Sequence, residues 1–239
     1  DVALAARLSA ALGSRHDVAA VAAVSGGEVR LAGLGAGPEA DFELGSISKA
    51  LTGLLYAEAL ARGEVTASTT LGELLPLAGT AAGGVALAAL STHRSGLPRL
   101  PRSAGVVRRS FALWLRGANP YGDDVETLLD QARGTPVGRP RPRYSNLGFE
   151  LLGHALARAA GTGFAELVER RIASPLGLRA LYAPAAPAEL RPDALIGRSR
   201  SGRRQEPWTG EAIAPAGGPR ASIGDMALLA RAILDGTAP

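Results

Sequence analysis

The chain has 239 residues, of which 46% are hydrophobic and 20% are charged, a balance typical of a soluble globular protein with an extensive core. It contains no cysteine, which excludes disulfide bonds, thiolate metal sites and cysteine nucleophiles. The formal net charge is only +4, and the arginine runs at 139–143 and 198–204 carry no aromatic residues to stack bases, so nucleic-acid binding is not favoured.

Hydrophobic periodicity and turn signals predict a chain of mostly helices, with its strands near the N-terminus. The predicted elements are a helix at 3–12, a β-hairpin of 17–24 and 28–35, an extended segment at 41–44, and helices at 47–62, 69–75, 85–91, 107–116, 123–133, 147–160, 163–173 and from about 222 onward. Ser222 and Asp225 have the spacing of a capping box for the last helix. This order of elements indicates an α+β or mixed α/β fold.

The helix at 47–62 is apolar over much of its circumference, which predicts a central, buried element. Such a helix needs a sheet to cover it, and a two-stranded hairpin is marginal by itself. The stretch from 183 to 220 is rich in Pro, Gly and Arg and is expected to be irregular. We therefore expect the sequence to end before its fold does, with C-terminal strands missing.

Ser46 and Lys49 are the first candidate functional residues. Lys49 is the only lysine among 26 Lys and Arg residues, and it follows Ser46 by three positions at the start of the buried helix. Residues at i and i+3 share a helix face, and both burial and the helix N-terminus disfavour a protonated amine. Lys49 could then act as a base toward Ser46, which arginine could not do. The alternative is that Ser46 caps the helix while Lys49 extends its ammonium to solvent.

Tyr144 and Asn146 form a second candidate group, directly before the helix at 147–160. A tyrosine hydroxyl near a lysine can relay a proton, and an asparagine amide can hydrogen-bond a substrate carbonyl or the lysine itself. The alternative is that Asn146 caps the helix and Tyr144 packs against it.

His93 has no Gly-x-Ser-x-Gly elbow to serve, so we expect it to make structural hydrogen bonds. His16 and His154 are too scattered for a metal site. Asp123 and Asp124, at a predicted helix start, are expected to act as capping and dipole charges. Trp114 and Trp208 either wall a substrate cleft or pack in the core.

Ser-x-x-Lys at the start of a buried helix, followed by Tyr-x-Asn about a hundred residues later, resembles the serine hydrolases that include class C β-lactamases, D,D-carboxypeptidases, D-aminopeptidases and family VIII esterases. His-Arg-Ser-Gly-Leu at 93–97 and Pro-Ala-Gly-Gly at 215–218 are similar to further segments of that superfamily. The matching pieces span about residues 17 to 236 in the family's order. The resemblance implies a β-lactamase/transpeptidase-like fold, with an antiparallel sheet flanked by helices and a mainly helical subdomain.

The resemblance also implies a role for each candidate residue. Ser46 would be the nucleophile, and its backbone N–H would form half of the oxyanion hole. Lys49 would hold Ser46 and accept or relay its proton. Tyr144 would serve as base and then as proton donor to the leaving group, and Asn146 would orient the substrate and the lysine. The family's third motif, Lys-Thr-Gly or His-x-Gly, has no counterpart after Gly218.

A single catalytic domain is expected over 1–239, with its α/β part at about 1–62 and 216–239 and its helical part at about 63–215, incomplete at the C-terminus. It would cleave an ester or amide bond, of the β-lactam or D-Ala peptide kind, without a metal or organic cofactor. The alternative is a non-catalytic or truncated penicillin-binding-like homologue that binds a ligand, or is acylated by it, without turnover. The expected partner is a small-molecule substrate, with no nucleic acid and no membrane segment. We expect this chain in isolation to be poorly stable or weakly active.

Overall fold

The structure is a computed structural model that describes residues 1–13, 16–101, 111–113, 115–199 and 201–239. Its helices and strands are α1 (Val2–Leu12), β1 (Ala19–Ser25), β2 (Glu28–Leu34), β3 (Phe42–Glu43), α2 (Ser48–Ala61), α3 (Leu71–Leu74), α4 (Leu87–Ser91), α5 (Val125–Arg133), α6 (Asn146–Ala159), α7 (Phe164–Val168), α8 (Ser174–Leu176), α9 (Ala214–Gly217), β4 (Arg220–Ala221) and α10 (Ile223–Leu234). Single 3-10 turns lie at Gly45–Ile47 and Pro187–Glu189, and a π-helical turn, Glu169–Ala173, joins α7 to α8. Trp114 and residues 107–110, which together are half of the helix predicted at 107–116, lie outside the described residues.

Strands β1 and β2 form the predicted antiparallel hairpin, with Ala19 opposite Leu34 and Ser25 opposite Glu28. The turn residues Gly26 and Gly27 have φ values of 58° and 80°. Both lie in the left-handed region that a two-residue hairpin turn requires and that glycine adopts without steric cost. Helices α1 and α10 pack against this hairpin.

A second antiparallel pairing, between β3 and β4, joins segments that are distant in the chain. Phe42 lies opposite Ala221, and Glu43 lies opposite Arg220. The Arg220 side chain is fully buried and donates hydrogen bonds to Asp41 Oδ1 at 2.8 Å and Glu43 Oε1 at 3.2 Å. Because a buried guanidinium is tolerated only when its donors are paired, this cluster ties the β4 segment to the chain that precedes α2.

Helices α2 and α6 occupy the centre of the core. Leu51, Leu55 and Ala59 bury one side of α2, and every residue of α6 from 146 to 157 is buried. The predicted central, buried helix is therefore confirmed, although it begins at Ser48, after a 3-10 turn, instead of at Ile47. The combination of small antiparallel sheets and flanking helices is the mixed α/β architecture that the sequence predicts. In the part of the chain that the structure describes, no helix is long and apolar enough to cross a membrane.

Candidate active site

Ser46 lies in the 3-10 turn between β3 and α2, with its side chain exposed. Gly45, the residue before it, has a φ of 53°, a conformation that favours glycine and turns the chain sharply out of β3. One residue earlier, the backbone N–H of Leu44 donates to the carbonyl oxygen of Pro219 at 3.0 Å. The β3–β4 pairing therefore extends almost to Ser46 and brings the Pro-Ala-Gly-Gly segment beside it.

The structure brings Ser46, Lys49 and Tyr144 together. Ser46 Oγ lies 2.6 Å from Tyr144 Oη and 3.3 Å from Lys49 Nζ. Lys49 Nζ also donates a hydrogen bond of 2.6 Å to the carbonyl oxygen of Ala216, in α9. Lys49 is buried, so the alternative in which its ammonium extends to solvent is wrong.

Tyr144 is surrounded by positive charge. Lys49 Nζ lies 4.8 Å from the centroid of its ring, and Arg99 Cζ lies 5.5 Å from it. Burial raises the pKa of Tyr144, but hydrogen bonds with Lys49 and Ser46 and the charges of Lys49 and Arg99 outweigh it, so the pKa of Tyr144 is lowered. The phenolate form, which can accept a proton, is therefore easier to reach than in an ordinary tyrosine.

His93 supports the Tyr144 segment from behind, as its predicted structural role implies. The backbone N–H of Ser145 donates to His93 Nδ1 at 3.2 Å, and the imidazole packs on the Tyr144 ring with centroids 4.8 Å apart. Burial, with a smaller contribution from the charge of Lys49, lowers the pKa of His93, so its neutral form is favoured and can accept at Nδ1. Ser145 caps α6 by accepting a hydrogen bond from Gly148 N–H at 2.9 Å.

Asn146 is the first residue of α6, and the alternative in which it caps the helix is wrong because Ser145 is the cap. Its side chain is buried, and Oδ1 accepts no hydrogen bond from the described residues. Lys49 donates to Ser46 and Ala216, so a direct Lys49–Asn146 hydrogen bond is not formed in this structure. An unpaired buried amide oxygen is costly, which makes Asn146 Oδ1 available to a donor on a ligand.

The remaining candidate residues have structural positions. Asp124 caps α5 by accepting from Thr127 N–H at 2.8 Å, as predicted. Asp123 does not cap that helix, and it accepts a hydrogen bond from Gln131 Nε2 at 3.2 Å. Trp208 packs edge-on against Tyr121, with ring centroids 5.0 Å apart.

The two other histidines lie apart from this site. His154 is buried in α6 with Nε2 3.1 Å from the carbonyl oxygen of Glu211, and His16 is exposed. Among the residues described, no three His, Cys, Asp or Glu side chains are grouped so that they could hold a metal ion.

Two contributors to the site were missed from the sequence. The Ala216 carbonyl oxygen is a backbone group, and only the resemblance of Pro-Ala-Gly-Gly to a family segment pointed to its surroundings. Arg99 carried no local signal, because its contact with the Tyr144 ring depends on the path of the chain before α6. There the carbonyl oxygen of Arg99 accepts a hydrogen bond from Asn146 N–H at 3.0 Å.

Comparison with known proteins places this geometry in context. The family model described as Beta-lactamase matches residues 4–239. The chain is 29% identical over 143 residues to the D-alanyl-D-alanine-carboxypeptidase/endopeptidase AmpH of Escherichia coli K12, which covers 57% of this chain and 35% of AmpH. It is 28% identical over 192 residues to a beta-lactamase of the same strain, which covers 78% of this chain and 46% of that protein.

Solved structures agree with the fold. A class C beta lactamase from Rhodobacter sphaeroides superposes with a TM-score of 0.80 at 25% identity, over 100% of this chain and 67% of that one. A beta-lactamase/D-alanine carboxypeptidase from Pseudomonas syringae has the same fold, with a TM-score of 0.75 at 22% identity over 96% of this chain and 63% of that one. The chain thus spans about two thirds of these structures and less than half of its curated relatives. With its family model matched over almost the whole sequence and its β-lactamase/transpeptidase-like fold, the chain belongs to the beta-lactamase family.

Proposed function

We propose that this chain is a serine hydrolase that cleaves an ester or amide bond through an acyl-enzyme on Ser46. The observation that carries this proposal is the position of Ser46 Oγ, at 2.6 Å from Tyr144 Oη and 3.3 Å from Lys49 Nζ. A weakly acidic hydroxyl becomes a nucleophile when a proton acceptor lies within hydrogen-bond distance. Tyr144 Oη and Lys49 Nζ both lie within hydrogen-bond distance of Ser46 Oγ.

Acylation would begin with attack of Ser46 Oγ on the carbonyl carbon of the substrate. As the new C–O bond forms, the hydroxyl proton passes to the phenolate oxygen of Tyr144, with Lys49, which hydrogen-bonds Ser46, as the group that relays it. The negative charge that develops on the carbonyl oxygen would be stabilised by the Ser46 backbone N–H at the start of the helix. Collapse of this intermediate breaks the bond to the leaving group, which takes its proton from Tyr144.

Deacylation would reverse these roles with water as the nucleophile. Tyr144 accepts a proton from water as the oxygen bonds to the acyl carbon, and Ser46 Oγ leaves with a proton returned from Tyr144. Asn146 Oδ1, buried and unpaired within the described residues, would accept a hydrogen bond from an N–H group of the substrate. A carboxylic acid is released and Ser46 is regenerated.

We propose the substrate class from the names of the relatives. Relatives named as beta-lactamases and as a D-alanyl-D-alanine carboxypeptidase favour β-lactams, D-Ala peptides and simple esters as compounds to test. All of them present a carbonyl carbon to a serine nucleophile.

The decisive experiment is covalent labelling of the 239-residue chain with a fluorophosphonate and with a fluorescent penicillin. We expect wild type to be labelled, and Ser46→Ala to lose the label while keeping its circular dichroism spectrum. A turnover panel of p-nitrophenyl esters, nitrocefin and D-Ala peptides then identifies the substrate class. A folded chain without any Ser46-dependent label would overturn the proposal, and labelling without turnover would identify the non-catalytic, acyl-accepting homologue instead.

A further inference from the structure

A cavity of about 80 Å³ lies against α6, and its walls are mostly apolar. The apolar side chains around it include Leu100, Pro101, Leu113, Pro120, Leu128 and Ile213. Since a water molecule occupies roughly 30 Å³ of liquid, this space fits a chain of a few carbon atoms. Tyr121, Asp123, Gln131 and Glu150 supply the polar part of the wall.

Two residues of the cavity wall interact with the Ser46 site: Tyr121 hydrogen-bonds the side chain of Asn146, and Glu150 is within range of the charge of Lys49. Glu150, in the cavity wall, lies one helical turn after Asn146 on α6, so the two side chains share a helix face. Leu100, also in the wall, directly follows Arg99, whose guanidinium covers the ring of Tyr144. The cavity therefore adjoins the residues that surround Ser46.

Glu150 is the unusual feature of the cavity. It is 5% exposed, and its carboxyl group makes no hydrogen bond with any of the described residues. The pKa of Glu150 is raised to about 8: burial raises it most, the charge of Lys49 lowers it, and the charge of Asp123 raises it by a smaller amount. Because the carboxyl group lies in the cavity wall and accepts no hydrogen bond from the described residues, it is free to accept one from a ligand in the cavity.

We propose that this cavity receives an aliphatic arm of the substrate's acyl group that ends in a primary ammonium, with the Glu150 carboxylate as its acceptor. The methylene groups of the arm would contact the apolar walls. The ammonium has three donors and no acceptor, which complements a carboxylate that has only acceptors. A cation also relieves the repulsion between the charges of Glu150 and Asp123. The inference rests on the proposed hydrolase function and specifies its substrate.

Proton release is a specific consequence of this arrangement. The groups that face Glu150 are Asp123 before α5, Lys49 on α2 and Tyr121 in the cavity wall. Near pH 7 Glu150 holds its proton for most of the time, so an arriving ammonium must displace it. Ammonium binding should therefore release close to one proton per ligand at pH 7 and tighten as the pH rises toward 8.

Matched substrates test the cavity kinetically. The p-nitrophenyl esters of β-alanine and 6-aminohexanoic acid carry a terminal ammonium, and those of butyric and heptanoic acid replace it with a methyl group of similar size. We expect wild type to have a higher kcat/KM for the ammonium member of at least one pair. Glu150→Gln should reduce that ratio by about tenfold or more, because the amide is uncharged.

Glu126→Gln is the matched control, since it removes a carboxylate from an exposed position on α5. It should leave the ratio as it is in wild type. Equal kcat/KM values within both pairs in wild type, or the same ratio in Glu150→Gln as in wild type, would overturn the ammonium proposal. The readout is the ratio of two kcat/KM values measured on the same variant. A loss of folded protein lowers both values equally and leaves their ratio unchanged.

A binding measurement separates this inference from the hydrolase proposal. Calorimetric titration of Ser46→Ala with n-butylammonium and with n-butanol, in two buffers of different ionisation enthalpy, needs no turnover. We expect n-butylammonium to bind with proton release, and Glu150→Gln added to Ser46→Ala to weaken it by about tenfold. If n-butylammonium and n-butanol bound with equal affinity, the proposal that the cavity binds an ammonium group would be wrong. Selective n-butylammonium binding in a chain without Ser46-dependent labelling supports the cavity and overturns the hydrolase proposal alone.

Discussion

The carbonyl oxygen of Ala216 accepts a 2.6 Å hydrogen bond from Lys49 Nζ, a shorter contact than the 3.3 Å between Lys49 Nζ and Ser46 Oγ. The α9 segment therefore sets the position of the lysine. One turn further along α2, Thr52 Oγ1 donates to the carbonyl oxygen of Pro215 at 2.7 Å, so the same face of α2 is bound twice to α9. Ser46 is left with Tyr144 as its nearest side-chain partner.

Replacement of Lys49 by arginine keeps a positive charge and removes a group that can exchange a proton. We expect Lys49→Arg to slow fluorophosphonate labelling of Ser46 by about 100-fold or more, the usual scale for loss of a proton-transfer group. The measurement is the second-order rate constant of labelling. Arg170→Lys, at an exposed position, is the matched control and should label at the wild-type rate. A Lys49→Arg rate close to wild type would mean that Lys49 contributes charge alone.

The lowered pKa of Tyr144 predicts the pH dependence of acylation. If the phenolate accepts the serine proton, the labelling rate should rise with pH through the pKa of Tyr144 and level off above it, at a pH below that of an ordinary tyrosine. The labelling rate of Tyr144→Phe should not show this rise with pH, and it should be at least about 100-fold lower than that of wild type. If the labelling rate of Tyr144→Phe still rose with pH in the same range, the rise would belong to the titration of another group.

The raised pKa of Glu150 predicts how stability depends on pH. Folding raises this pKa from 4.5 to about 8, so the folded chain holds a proton that the unfolded chain releases. The contribution of Glu150 to the free energy of unfolding is fully present below pH 4.5 and is lost as the pH rises through 8. About 2–3 kcal/mol of that loss falls between pH 6 and 9. Urea unfolding of Glu150→Gln should lack this decrease. Glu126→Gln should keep it, and identical pH dependence in both variants would contradict the assignment.

The buried cluster around Arg220 should contribute strongly to stability. Its guanidinium donates to the side chain of Asp41 at 2.8 Å and to the carbonyl oxygen of Leu195 at 2.7 Å, and Arg220→Met would leave the Asp41 carboxylate without this partner. We expect a loss of about 3–5 kcal/mol in the free energy of unfolding, measured by urea denaturation. Arg170→Met, which breaks an exposed ion pair with Glu166, should cost less than about 1 kcal/mol. Similar costs for the two variants would contradict a structural role for Arg220.

Gly153 permits the close approach of α6 and α9. A Cβ atom at this position would lie 2.2 Å from Pro215 Cβ, so Gly153→Ala must displace the residue next to Ala216. We expect a loss of about 1–3 kcal/mol in stability and slower labelling of Ser46, because the acceptor of Lys49 moves. Gly134→Ala adds the same methyl group in open space and should change neither quantity. Destabilisation with unchanged labelling would show that α9 moves without affecting Lys49.

The elements that were predicted well have strong local signals. Alternating residues around a Ser-Gly-Gly turn indicated the β1–β2 hairpin, and the apolar surface of 47–62 indicated the buried α2. Glu150 had no such signal. In sequence it is one charged residue in a helix, and its burial arises because α6 is surrounded by neighbours on all sides.

The sequence by itself determined the elements whose causes are local, together with the motifs that carry Ser46, Lys49, Tyr144 and Asn146. Local periodicity and capping depend on residues within one or two turns, so they can be read along the chain. Only the tertiary structure decided that Lys49 is buried against Ala216, that Ser46 meets Tyr144, and that Glu150 faces a cavity. These contacts join residues 167 and 98 positions apart or depend on packing from several segments, and no local pattern specifies them.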